Sequence, residues 1–264
     1  MNGLDLPIIG LGTYLLGKDT YNIVLKALKM GYRHIDTASL YKNEKAVGKA
    51  VINSGICREE IFICTKVQYS DIVRGRESII KAVHKSLNNM NMTYVDLLLL
   101  HCPTNNNVTS WKVLEEIYGA GLARYIGTSN YGPDEIKEIL DNCRIKPYVN
   151  QIECSPFFFP ENVINLCKDN GIKIVAHSCL TKGQKLNNDV IQDIARKHNI
   201  GATSVMLQYL MNMGIYIIPM TRNEEHLLEN MNKIIALDNI DMGRLYMLKD
   251  NKFVTHVRYL NNIN

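Results

Sequence analysis

The chain of 264 residues has no uninterrupted apolar stretch approaching the roughly 18 residues of a membrane span, and its opening, MNGLDLPIIGLGTYLL, lacks the basic segment of a secretory leader. A cytoplasmic, soluble protein is therefore expected. The seven cysteines are odd in number, show no C-x-x-C spacing and sit mostly in apolar runs such as IFIC and INLC, which predicts buried, reduced thiols and excludes a disulfide framework. No two of the seven histidines stand at H-x-x-x-H spacing, so no metal site is implied. Thirty basic residues against 26 acidic leave only +4, scattered along the chain, so nothing here favours nucleic acid as a partner. There is also no linker, low-complexity block or charge run to divide the chain, and a single domain over 1–264 is expected.

What is present is alternation. Eight short apolar runs, PIIGLG (7–12), RHID (33–36), IFICTK (61–66), VDLLLLH (95–101), ARYIGTS (123–129), YVNQIE (148–153), KIVAHS (173–178) and IYIIPM (215–220), read as strands. Between them, segments such as YNIVLKALKM, ESIIKAVHKSLNNM and PENVINLCKDN place apolar residues at the i, i+3, i+4 spacing of one helix face. Strand and helix repeating every 25 to 35 residues or so require parallel pairing, because each helix returns the chain to the same end of the sheet. A closed (β/α)8 barrel is predicted, with a doubly wound open sheet as the other solution to the same alternation. The last interval holds two amphipathic stretches, DVIQDIARKH and ATSVMLQYLMNM, which predicts an extra helix before the final strand.

In a barrel, function collects at the C-terminal strand ends, and the polar residues there can be read off: Asp36, Lys66, His101, Ser129, Asn130, Gln151, His177, Ser178, Thr221 and Arg222. Each has a plain structural explanation taken alone, such as a helix cap for Asp36 or a lysine reaching past the rim for Lys66. An Asp, a Lys and a His converging on one mouth after strongly apolar strands point instead to chemistry. Two nucleotide motifs fail. Gly12 to Lys18 fits G-x-x-x-x-G-K, but Asp19 follows where a phosphate-binding loop needs a hydroxyl for magnesium, and Gly10-Leu11-Gly12 has Leu15 where a dinucleotide fingerprint needs its third glycine.

The blocks GYRHIDTASLYKNEKAVGKAV (31–51), FICTK (62–66), VDLLLLHCP (95–103), GLARYIGTSNY (121–131), VNQIECSPF (149–157) and GIKIVAHS (171–178) resemble the successive signatures of the aldo-keto reductases, from about Leu6 to about Asn230. The resemblance implies an oxidoreductase that reduces aldehydes or ketones with a nicotinamide dinucleotide. Its catalytic four fall on Asp36, Tyr41, Lys66 and His101, with Tyr41 as general acid. A free tyrosine is a reluctant acid at a pKa of about 10, and a neighbouring cation eases the loss of its proton. Lys66 would supply that charge, Asp36 would hold the lysine, and His101 would orient the carbonyl oxygen.

The resemblance further places Ser129, Asn130 and Gln151 at the nicotinamide carboxamide and Thr13 and Asp36 near its ribose. His177 stands where the family carries a stacking tyrosine, and Ser178, Leu180 and Lys182 lie in the loop crossing the pyrophosphate. At the adenosine end Thr221, Glu229 and Asn230 match, but Met220 and His226 occupy the positions of the usual 2′-phosphate cations, leaving Arg222 as the replacement charge. NADPH is the implied cofactor, with NADH as the alternative. Tyr14, Tyr41, Gln68, His101 and Cys102 are expected to line the substrate pocket, and a small carbonyl compound is the expected partner. A barrel that binds the cofactor as a sensor, with little turnover, is the other reading of the same substitutions.

Overall fold

The structure, a computed structural model, describes residues 4–231, 235–250 and 252–254. The expectation of one domain over 1–264 extends over residues 1–3, 232–234, 251 and 255–264, which lie outside the described residues. Eight parallel strands run in sequence order: β1 (Leu11–Gly12), β2 (His34–Asp36), β3 (Phe62–Val67), β4 (Val95–Leu100), β5 (Ala123–Ser129), β6 (Val149–Glu153), β7 (Lys173–His177) and β8 (Tyr216–Ile217). The circle is completed by a parallel bridge between Ile9 and Ile217 and by bonds from Gly10 N to Ile217 O (2.8 Å) and Gly12 N to Pro219 O (3.1 Å). At this seam the backbones come so close that a Cβ on Gly12 would stand 2.7 Å from the Ile218 carbonyl oxygen. The fold is the (β/α)8 barrel that the spacing predicts, not the open sheet.

The helices α1 (Thr20–Lys29), α2 (Glu44–Ser54), α3 (Tyr69–Val73), α4 (Arg76–Met90), α5 (Asn107–Gly119), α6 (Pro133–Asn142) and α7 (Glu161–Asp169) fill the first crossovers. The last interval carries both α8 (Asp189–His198) and α9 (Ala202–Asn212), so the expected extra helix is present, and α10 (Glu224–Asn230) and α11 (Asn239–Tyr246) follow β8. The start signals act as their chemistry dictates. Pro133 opens α6, with Glu135 accepting from the Gly132 N–H at 3.0 Å, and Asn188 caps α8 by accepting from Val190 and Ile191.

Alternation within the strands sorts the side chains into two cores. Outward residues such as Ile35, Ile63, Leu98 and Ile126 pack against the helices, whereas Phe62, Cys64, Leu97, Leu99, Val149 and Val175 fill the barrel interior. The interior residues of β3 climb from Phe62 through Cys64 to Lys66, and those of β2 from His34 to Asp36. The apolar layers therefore lie below, and the inward positions turn polar at the C-terminal ends.

Candidate active site

Register brings the first two groups together. Asp36 pairs with Cys64 across β2 and β3, which sets Lys66, one inward position further on, against the Asp36 carboxylate. Lys66 Nζ lies 2.5 Å from Asp36 Oδ1 and donates to the Thr37 carbonyl at 3.0 Å; both charged side chains are almost wholly buried. Gln151 Nε2 donates to the other carboxylate oxygen at 2.7 Å. Burial alone would push the Asp36 carboxyl up, but the Lys66 charge and the bonds from Lys66 and Gln151 hold it below the usual carboxylate range. Burial likewise works against the ammonium, yet the Asp36 charge keeps Lys66 above the ordinary lysine value. The pair is ionised at neutral pH.

Tyr41 sits at the end of a 3₁₀ turn, Ser39–Tyr41, whose Ser39 hydroxyl donates to the Lys66 carbonyl at 3.0 Å. Its hydroxyl is 3.5 Å from Lys66 Nζ, and its ring packs against those of His101 (5.9 Å, edge-on) and Tyr14 (5.1 Å). The Tyr41 phenol is pushed up to about 12 by burial, with the Lys66 charge offsetting part of that rise. Proximity to the cation thus makes the phenol a better acid than burial alone would leave it, without bringing it below an ordinary tyrosine. His101 is lowered to about 3 by burial and then by the Lys66 charge, so its ring is neutral. Its Nδ1 is buried with no hydrogen-bond partner among the described residues.

Asn43 is a supporting residue that the sequence reading missed. It is buried, accepts from the Thr37 hydroxyl at 2.7 Å and donates to the Thr13 carbonyl at 2.9 Å, while the Thr13 hydroxyl donates to the Asp36 carbonyl at 2.9 Å. Asn43 therefore ties the turn carrying Tyr41 to the β1 end. Its position immediately before α2 reads as a helix cap, which hid this role, because its side chain does not cap the helix.

These groups open into a cleft of about 370 Å³ at the C-terminal mouth. Asp36, Tyr41 and His101 line it, as do Tyr14, Ser129, Asn130, Gln151, His177, Ser178, Leu180 and Lys182. Lys66 and Thr13 stand behind the wall as supports, both fully buried. Asn130 reaches its place through a left-handed backbone (φ 61°), a region asparagine tolerates. Its N–H donates to the Gln151 carbonyl at 2.8 Å. With amide groups along one wall, the imidazole of His177 as an uncharged ring face and the Lys182 cation beside them, the donor set fits a nicotinamide and the phosphates attached to it. No group of three or more His, Cys, Asp or Glu among the described residues is arranged to hold a metal ion.

Two residues expected in the substrate pocket lie elsewhere. Gln68 stands just before α3, and its Nε2 donates to Asp71 Oδ2 at 2.9 Å, off the cleft wall. Cys102 is not on the cleft wall either; it is 1% exposed, and burial pushes its thiol up to about 12. The adenosine-end residues are also off the cleft wall. Thr221 Oγ1 is 3.4 Å from His226 Nδ1, Glu229 accepts from the Ser204 hydroxyl at 3.3 Å, and Asn230 is buried. Arg222, expected as a replacement cation, is engaged at the closing seam by the Leu15 carbonyl and by Asp19 Oδ2 at 3.3 Å from its Nε. Met220, which brings no charge, does line the cleft.

Comparison with known proteins gives the family. The model of the aldo/keto reductase family matches residues 8–249. The glyoxal reductase of Bacillus subtilis (strain 168) is 37% identical over 257 residues, covering 96% of this chain and 92% of the relative. The methylglyoxal reductase DkgB of Yersinia pestis is 34% identical over 256 residues, covering 94% and 95%. Among solved structures, MGS-M4, an aldo-keto reductase enzyme from a Medee basin deep-sea metagenome library, superposes with a TM-score of 0.91 at 34% identity, covering 95% of this chain and 94% of that one. The chain belongs to the aldo/keto reductase family.

Proposed function

We propose that the protein is an NAD(P)H-dependent carbonyl reductase acting on small, reactive aldehydes. The observation that carries this reading is the buried Asp36–Lys66 pair standing 3.5 Å from the Tyr41 hydroxyl beside a neutral His101, all at one cleft. When bound, the reduced nicotinamide supplies the hydride that reaches the carbonyl carbon. The oxygen then gains negative charge and must be protonated. Tyr41, protonated throughout the neutral range, holds the proton at its Oη and transfers it to that oxygen, while the Lys66 ammonium stabilises the phenolate left behind. Asp36 fixes the ammonium, and Gln151 fixes Asp36. His101 has one ring N–H with which to hold the carbonyl oxygen in line.

The substrate class follows from the walls and from the relatives. Leu15 and Leu40 join Tyr14 at the cleft, the chain has a single tryptophan, and Gln68 and Cys102 contribute no wall, so nothing among the described residues builds a deep aromatic slot for a bulky ketone. Two relatives bear the names glyoxal and methylglyoxal reductase, and short dicarbonyl aldehydes suit an open mouth of this kind. We place the enzyme in the reducing cytoplasm, in keeping with seven free thiols, five of them buried. Incubation with NADPH or NADH and a panel of small aldehydes should consume the reduced cofactor, followed by its absorbance. A protein that binds the dinucleotide but turns over no member of a broad panel would overturn the reading in favour of a sensor.

A further inference from the structure

His177 ends β7 and lines the cleft. Its imidazole does more than present a ring face. Nε2 lies 2.8 Å from Asn130 Oδ1, and Nδ1 lies 3.2 Å from the Ser178 hydroxyl. The direction of these bonds follows from the far side of the asparagine. Asn130 Nδ2 faces the His101 carbonyl at 3.0 Å and the Ser129 hydroxyl at 3.1 Å, so the amide nitrogen is turned away from the imidazole and Oδ1 toward it. An amide oxygen only accepts, so His177 Nε2 carries the hydrogen and donates, and Nδ1 is left as the acceptor. A phenylalanine or tyrosine ring has no nitrogen with which to make this bond.

The result is a continuous chain from His177 through Asn130 to the backbone of His101, joining the ends of β7, β5 and β4. The amide oxygen has two lone pairs, and His177 takes one of them. On the reductase reading, the other is available to the amine of the nicotinamide carboxamide. We propose that His177 is a positioning residue for nicotinamide recognition: it fixes the Asn130 side chain so that Oδ1 reads the carboxamide amine, in addition to any support its ring face gives the nicotinamide.

Two substitutions separate the bond from the ring. His177→Phe keeps an aromatic face and removes both nitrogens; His177→Gln removes the face and keeps an N–H at a similar reach. Calorimetric titration with NADP⁺ and with its 3-acetylpyridine analogue, in which a methyl ketone replaces the carboxamide, gives the preference for the carboxamide as a ratio of Kd values. Wild-type protein should prefer the nicotinamide form. His177→Phe should lower that preference about fivefold, the scale of one neutral hydrogen bond. His177→Gln should retain it even where both ligands bind more weakly. The reverse pattern, or a wild type without preference, would overturn the proposal. A wild type that binds neither dinucleotide would instead overturn the reductase reading, and this inference with it. Independently of any variant, a long-range ¹H–¹⁵N spectrum of the cofactor-free protein should show His177 as the neutral Nε2–H form at pH 7. The Nδ1–H form would reverse the bond and overturn the proposal.

Discussion

The two ends of the cleft are built by different means. The nicotinamide end stands on the barrel: Asp36, Lys66, Ser129, Gln151 and His177 are inward positions whose height is set by strand register, and hydrogen bonds of 2.5 to 3.0 Å link Lys66, Asp36 and Gln151 and brace Ser129. The end proposed for the adenosine stands beyond the cleft wall on loops and on α10, where Arg222 and Asp19 remain about half exposed. A rigid floor fixes reaction type, because a misplaced buried charge there is costly. An exposed rim tolerates replacement, and on the proposed reading Met220 and His226 stand there where cations would be expected for a 2′-phosphate. On that reading, reaction type and cofactor choice are separable, and each should break without the other.

The largest effect is expected on the floor. Lys66→Met would leave the Asp36 carboxylate buried without its ion partner, at a cost of about 3–5 kcal/mol. Urea denaturation at pH 7 should show that loss, reduced by whatever fraction of Asp36 takes up a proton, and turnover should vanish with it. An unchanged midpoint would mean that the pair is not buried as described.

Acid should also destabilise the barrel interior. Burial lowers His34 to about 4, His177 to about 4 and His101 to about 3. Their folded values lie below the unfolded one, so the unfolded chain binds the extra protons, and stability present above about pH 6.5 is lost as pH falls toward 4. Each histidine steepens the fall by at most about 1.4 kcal/mol per pH unit, a limit approached only where the unfolded ring is protonated and the folded ring is not. Denaturant midpoints measured at half-unit steps from pH 7 to pH 4.5 test this. A flat profile would show that these rings are protonated, or solvated, in the folded state.

At the rim the effects are smaller. Met220→Lys puts a cation on the cleft wall and should tighten NADPH roughly tenfold, about 1.4 kcal/mol, while leaving NADH almost unchanged in a fluorescence titration. Asp19→Asn should act in the same direction by only about twofold, because the pair it releases is exposed and contributes less than about 1 kcal/mol. If Asp19→Asn tightened NADPH as much as Met220→Lys, Arg222 would be the principal 2′-phosphate ligand and the Asp19 pairing its main restraint.

The same division governs what could be read from the sequence. Eight apolar runs and their spacing gave the barrel, and alternation gave the height of Asp36 and Lys66, because both follow from local periodicity. The first and last runs contributed only two-residue strands, since at the closing seam Pro219 has no N–H to continue a ladder and the hydrogen bonding is irregular. Gln68 and Asp71 are three residues apart and visible as a local pair in hindsight. The Arg222–Asp19 pairing was not legible: it joins residues 203 positions apart on two loops, and only barrel closure brings them together. The bond from His177 to Asn130 was hidden in the same way, by a crossover of 47 residues.

The most direct test of the account concerns Tyr41. Wild type and Tyr41→Phe, each loaded with NADPH, are mixed with methylglyoxal in a single-turnover experiment that follows nicotinamide fluorescence, after cofactor Kd values have been measured for both. The hydroxyl is needed only as its proton moves, so the variant should bind the cofactor as wild type does and react about 10²- to 10⁴-fold more slowly. Equal rates in the two proteins would show that the proton comes from another group, and the Asp36–Lys66–Tyr41 constellation would not be the catalytic one.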